Sequence, residues 1–227
     1  MAESDSLYAV LSLALGLGMA HALDADHIVA VSGLASARAT FRDTLRFCLR
    51  WSLGHGVTIL LLGAAVLLLG MAIPATLSHY AEEAVGFVLI GIGIYVFWDL
   101  LLDKAHIHFH AHDEISPHAH WHRHSKTAAP HRHTQGALMI GMLHGAAGSA
   151  PLLTLLPLSA QSQPWFGVVY LLMFGMGVLL SMLVFGGALG ALFRGVATHS
   201  NRGVRMLRLA EALGSISFGS YLVHSAY

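Results

Sequence analysis

Met19-Ala20-His21-Ala22-Leu23-Asp24-Ala25-Asp26-His27-Ile28 places two histidines and two aspartates inside an otherwise apolar run. No acidic or basic residue other than histidine occurs from Leu7 to Leu23, and none occurs from Ile28 to Ala37. A carboxylate near the middle of a bilayer costs about 2.5–3.5 kcal/mol on insertion scales, so two of them beside two imidazoles require a compensating partner. A divalent transition metal suits both ligand types.

At 100° per residue, His21, Asp24 and His27 step by three and share one flank of a helix. Asp26 points away from that flank in a regular helix. Either it fixes an imidazole from behind the ligands, or the helix opens around Ala25. As one helix, Leu7–Ala37 would be about 46 Å long, more than about 30 Å of hydrocarbon requires, which predicts a tilt or a break. An unwound segment is tolerated where it lines a cavity. The competing use of such residues is a buried polar network between helices; four ionisable side chains within seven positions favour a functional site.

Composition sets this stretch in a membrane protein. The chain of 227 residues is 56% hydrophobic and 11% charged, with a mean hydropathy of +0.65, whereas soluble domains carry roughly 25% charged residues. Twelve basic and 12 acidic residues give no net charge and no basic stripe for nucleic acid. Cys48 is the only cysteine, which excludes an intramolecular disulfide or a thiolate metal cluster. The acidic Met1–Ser6 and the uninterrupted run into the cluster predict no cleavable signal.

Apolar runs near twenty residues predict an all-α polytopic fold with six transmembrane helices, at about Leu7–Ala37, Leu49–Ile73, Glu83–Leu102, Gly136–Leu158, Phe166–Phe193 and Leu207–His224. Between these spans the basic residues alternate. Arg38, Arg42, Arg46 and Arg50 follow span one, Lys104, Arg123, Lys126 and Arg132 follow span three, and Arg194, Arg202, Arg205 and Arg208 follow span five. The loops at Met71–Glu82 and Ser159–Pro164 have none. The positive-inside rule then puts both termini outside a cytoplasmic (inner) membrane and the three basic loops inside the cell.

The two halves resemble each other. Leu15-Gly-Leu-Gly-Met-Ala-His21 aligns with Leu138-Met-Ile-Gly-Met-Leu-His144, Leu53-Gly-His55-Gly-Val57 with Phe174-Gly-Met176-Gly-Val178, and Glu83-Ala-Val-Gly86 with Glu211-Ala-Leu-Gly214, at offsets of 123, 121 and 128. Three spans per half make the second half inverted relative to the first, a 3+3 inverted repeat of the kind that holds substrate near the midplane of secondary transporters. The chain divides into residues 1–102, the first repeat with the metal motif, a cytoplasmic histidine-rich loop at 103–135, and the second repeat at 136–227. Paired glycines such as Gly91/Gly93 and Gly186/Gly187/Gly190 predict close helix packing.

His55 enters the membrane five residues after Arg50 and is a candidate additional ligand; His144, the counterpart of His21, is another. The positions matching Asp24, Asp26 and His27 are Ala147, Ser149 and Ala150, which confines the full set to the first half. Met176, counterpart of His55 in this alignment, reads as packing. The candidate metal residues are therefore His21, Asp24, Asp26, His27, His55 and His144. Imidazole and carboxylate without thiolate suit Ni, Co, Zn or Mn. Ligation needs neutral histidine, so binding should weaken as pH falls through the imidazole range. The loop from His106 to His133 holds ten histidines, many at alternate positions, which predicts an extended chelating tract without fixed structure until loaded.

His21, Asp26 and His27 form an H-x4-D-H pattern, and His-Ala-Leu-Asp-Ala-Asp-His-Ile resembles the first-helix motif of the nickel/cobalt transporter (NiCoT) family. Leu53-Gly54-His55 is similar to the start of that family's L-G-H-[DS]-T-V motif, from which Gly56 and Val57 depart. Typical members have eight spans and a later motif rich in Asp, Thr and Glu, absent here; the six-span layout is similar to the smaller branch that includes membrane-bound urease accessory proteins. The resemblance implies that His21, Asp26, His27 and His55 select and carry Ni2+ or Co2+.

These readings predict a secondary permease for Ni2+ and/or Co2+, most simply for uptake, working by alternating access and not an enzyme. The ion is substrate, and no prosthetic group is expected. The partners implied are the metal ion, the lipid bilayer and an intracellular metal chaperone or metalloenzyme maturation protein. Two alternatives are nickel/cobalt efflux, to which the histidine-rich loop is similar, and an intramembrane zinc hydrolase whose ligands activate water. The repeat and the chelating loop have no role in hydrolysis.

Overall fold

The computed structural model describes the backbone of residues 2–36, 41–70, 74–102, 107–112, 115–121, 134–148 and 164–225. Among these, seven helices and one hairpin follow in order: α1 (Ala2–His21), α2 (Ala25–Ser36), α3 (Phe41–Leu69), α4 (Ala75–Leu102), β1 (Ile107–His112), β2 (Ile115–Trp121), α5 (Thr134–Ala147), α6 (Pro164–His199) and α7 (Asn201–Ser225). Ser149 and Ala150, the rest of the fourth predicted span and the remainder of the histidine tract lie outside the described residues.

Among the described residues, three helices are long and apolar enough to cross a membrane: Phe41–Leu69, Thr76–Leu101 and Trp165–His199. The segments Leu7–His21 and Ala25–Leu34 reach that length together, bent by 56°. Side chains such as Leu61, Phe87, Trp98 and Val184 are more than half exposed on the helix surfaces. A water-soluble monomer rarely presents so extensive an apolar exterior. The chain is thus a multi-pass helical membrane protein. Helix α5 is a shorter apolar helix, and α7 carries Arg202, Arg205, Arg208 and Glu211 in its first three turns.

The break after His21 has local causes. The last turn of α1 tightens, with the Leu23 amide bonding the Ala20 carbonyl at 2.9 Å and the Asp24 amide the His21 carbonyl at 3.0 Å. The Asp24 carbonyl then accepts the Ile28 amide at 3.0 Å, which makes Asp24 the residue that starts α2. Aspartate is favoured at such a start, and Asp26 in the first turn faces the positive end of the helix dipole. The opening expected around Ala25 falls slightly earlier, across Ala22–Asp24.

Helix packing follows a repeated pattern. A Cβ at Gly18 of α1 would overlap the Phe174 carbonyl of α6, and one at Gly141 of α5 would overlap the Trp51 carbonyl of α3. Likewise a Cβ at Gly177 meets Leu15 and Met19, and one at Gly54 meets Leu138 and Met142. Each contact becomes its twin when 123 is added to the residue from the first half and subtracted from that of the second. Between α4 and α7, Gly219 lies on Gly86 and Ile90 while Gly93 lies on Ala212 and Ile216, twins at an offset of 126. The sequence alignment at offsets of 121 and 128 is corrected accordingly: Gly54 corresponds to Gly177, and His55 to the buried Val178. Met176 is exposed on the outer surface of α6.

Two apolar clusters result. One joins α1, α3, α5 and α6 through Ala14, Trp51, Ile59, Phe174, Val178 and Met182; the other joins α2, α4 and α7 through Ala30, Val85, Leu89, Val96 and Ala212. Ser215 Oγ donates to the Leu89 carbonyl at 2.6 Å, and the buried Arg208 pairs with Asp99, so α4 and α7 hold together as a unit. In the connecting tract, expected to lack fixed structure, β1 and β2 pair antiparallel with His108 opposite His120 and His110 opposite His118.

Candidate metal centre

The break between α1 and α2 brings His21 and His27 to the same place. Their ring centroids lie 4.7 Å apart, and His55 from the middle of α3 lies 5.4 Å from His21 and 5.2 Å from His27. Each of the three offers a ring nitrogen, and these atoms all lie within 4.8 Å of one another. His144, from the last turn of α5, is 5.4 Å from His27 by ring centroids. His27, His55 and His144 are fully buried.

Hydrogen bonds fix the tautomers. His21 Nδ1 donates to Asp24 Oδ2 at 2.8 Å, His27 Nδ1 donates to Asp26 Oδ1 at 2.8 Å, and His144 Nδ1 donates to the Ile140 carbonyl at 2.9 Å. Carboxylate and carbonyl oxygens can only accept, so the proton sits on Nδ1 and Nε2 carries a lone pair. Those three Nε2 atoms, and both ring nitrogens of His55, are buried with no hydrogen-bond partner among the described residues. A buried polar atom without a partner costs about 1–3 kcal/mol, and four imidazoles bear that cost together. A metal ion relieves it, since imidazoles bound through one nitrogen and held by a carboxylate or carbonyl through the other are the usual form of histidine ligation.

The candidates therefore separate by position. His21, His27 and His55 come together as a ligand group, and His144 adjoins it from the second half. Asp24 and Asp26 stand behind imidazoles, at Nδ1, the first of the two arrangements the sequence leaves open for Asp26, and the helix break, the second, is present as well. Close packing of α5 makes this possible: Gly145 lies against the His55 backbone, and a Cβ at Gly148 would sit 3.0 Å from His21 Nε2. Glycine at 148 keeps that nitrogen clear.

Aromatic neighbours complete the shell, and the sequence motifs did not point to them. Trp51 stacks on His55 at 5.2 Å with an interplanar angle of 14° and edges His27 and His144. Phe174 lies 5.5 Å from His21. A tryptophan one turn before His55, on the same helix face, was the available signal.

Fold and site together define a helical membrane protein with a buried imidazole cluster at a broken helix. Residues 8–216 match the family described as the cytochrome C biogenesis protein transmembrane region, and the chain belongs to that family. It is also 32% identical over 205 residues, covering 90% of this chain and 84% of the relative, to urease accessory protein UreH of Bacillus sp. (strain TB-90). No solved structure matches.

Proposed function

We propose that the chain is a secondary transporter for divalent transition-metal ions, Ni2+ and/or Co2+, most simply for uptake across the cytoplasmic membrane. The observation that carries this reading is the convergence of buried, unpartnered imidazole nitrogens whose opposite nitrogens are held by Asp24, Asp26 and the Ile140 carbonyl. His21, His27 and His55 hold the ion, His144 adds a donor from the second half, and the two carboxylates offset its charge. Four nitrogen donors without thiolate suit a divalent ion such as Ni2+, Co2+ or Zn2+, and the resemblance of the His21–His27 motif favours the first two. The similarity to a urease accessory protein accords with the branch whose layout the sequence resembles.

We read the chain as six spans in a 3+3 inverted arrangement, a layout that suits alternating access. The twin contacts at one offset, α1 with α6 and α5 with α3, are what an inverted duplication produces. The orientation with both termini outside rests on the arginines. Tyr8, Tyr80, Trp165 and Tyr221 are exposed at helix ends assigned to the outer interface and Trp98 at an inner one, as expected of aromatic rings, which settle at both interfaces. The histidine pairs of the β1–β2 hairpin fall on the cytoplasmic side in this arrangement, in a place to receive or supply the ion.

The test is uptake of radiolabelled Ni2+, Co2+ and Zn2+ into proteoliposomes containing the purified protein. Ni2+ or Co2+ should enter faster than into protein-free vesicles, and His21→Ala should return the rate to that background. Equal rates with and without protein, under every imposed ion gradient, would sink the proposal.

A further inference from the structure

We propose that two apolar layers, Trp51 with Met182 and Phe174 with Ile59, are the paired gates of the permeation path, one on each side of the histidine cluster. The proposal rests on the transport reading above and goes beyond it. Helices α3 and α6 run antiparallel, with Cys48 facing Gly186, Gly56 facing Gly175, and Gly63 facing Leu171. That register sets His55 level with Val178. Trp51 comes one turn before His55 on α3, and Phe174 one turn before Val178 on α6, so they lie about 6 Å to opposite sides of the ion level. By the same register Met182 is level with Trp51, and Ile59 with Phe174. All four side chains are at most 4% exposed.

The two layers are images of one another. Adding 123 to Trp51 gives Phe174, and adding it to Ile59 gives Met182. Their contacts with the cluster match as well: Phe174 lies 5.5 Å from His21, and Trp51 lies 5.5 Å from His144, the counterpart of His21. Both aromatics also occupy the closest backbone approaches, Gly18 against Phe174 and Gly141 against Trp51. A tilt that separates one such helix pair draws its aromatic from the path and leaves the twin pair closed. The apolar layer on the closed side keeps water, and hence the hydrated ion, from crossing. With the termini outside, the Trp51 layer bars the cytoplasmic face and the Phe174 layer the outer face.

Side-selective thiol labelling tests this without any metal. In a Cys48→Ala background, Val178→Cys places a single thiol at the ion level between the layers. A membrane-impermeant methanethiosulfonate reagent is applied to one face or the other of oriented vesicles. Trp51→Ala should raise the labelling rate from the cytoplasmic face, and Phe174→Ala from the outer face, each about tenfold, as when a minor open state of a two-state protein becomes a major one. Labelling that rises from the same face in both variants, from both faces equally, or in neither, overturns the proposal. Should either aromatic variant be missing from the membrane, Met182→Ala and Ile59→Ala address the same two layers. Because no transport enters the readout, failed Ni2+ and Co2+ uptake with side-selective labelling discards the transport reading alone, whereas normal uptake without it discards the gates alone.

Discussion

His27→Ala is expected to abolish measurable Ni2+ binding by the purified protein, whereas Asp26→Asn should lower affinity by about 10–100-fold, the usual cost of losing the partner that orients a metal-bound histidine. The order follows from geometry. His27 supplies a lone pair directly to the shared space and is the imidazole beside which His144 lies, so its removal breaks the three-histidine group and leaves His144 apart from His21 and His55. Asp26 acts through His27: without its charge Nδ1 still finds an amide oxygen at 2.8 Å range, but the ring loses basicity and a fixed tautomer. Isothermal titration in detergent, alongside thermal melting to verify folding, measures both. If Asp26→Asn lost as much affinity as His27→Ala, Asp26 would be a direct ligand and the hydrogen-bonded arrangement would not describe the loaded site.

The largest stability effect is expected at the glycines where helix backbones meet. Gly141→Leu places carbon atoms where the Trp51 carbonyl already stands, and Gly18→Leu does the same at Phe174. A flexible side chain could turn aside, but a helical carbonyl cannot, so α3 and α5, or α1 and α6, must part. Overpacking typically costs about 1–3 kcal/mol, and a backbone obstacle belongs at or above the top of that range. Gly91→Ala and Gly214→Ala are the counterpart, since a Cβ at either meets nothing within 4 Å. Those changes should be neutral or gain up to about 1 kcal/mol through helix propensity. Melting of the four variants in detergent checks the contrast. Equal behaviour at Gly141 and Gly91 would mean that the close approach contributes nothing.

Much of the site could be read from residue types alone. The cost of placing Asp24 and Asp26 within an apolar span marks the stretch as a candidate site, and the excess length of the first apolar run calls for a tilt or a break, of which the structure shows a 56° bend. Which atoms do what was not legible, because a regular helix leaves Asp26 facing away and only the turn at Ala22–Asp24 sets both carboxylates against Nδ1 atoms. The repeat was visible, yet its register in the second and third spans was not. Matching Gly54 and Gly56 to Gly175 and Gly177 follows a local Gly-x-Gly pattern, whereas packing is decided by which glycine meets a carbonyl across the interface; that places Gly54 with Gly177. The same limit hid Trp51 and Phe174, whose importance comes from contacts between distant parts of the chain. In the histidine tract, alternation of histidine with other residues suits an extended chelator. Alternation is also the period of a strand, and β1 and β2 use it to pair.

The stacking of Trp51 on His55 gives the protein an optical signal of its own. Of the four tryptophans, Trp98 and Trp165 face outward and, among the described side chains, Trp51 alone touches the imidazoles of the centre; Trp121, in the histidine tract, is replaced by Phe in the protein used for the titration. Its emission should be quenched when Ni2+ or Co2+, with open d shells, occupies the centre a few ångströms away. Closed-shell Zn2+ should bind at the same place and leave the emission nearly intact. Titrating unlabelled protein with each ion would reveal occupancy directly, and Trp51→Phe should erase the response. An equal Ni2+ response in that variant would locate the binding elsewhere in the chain.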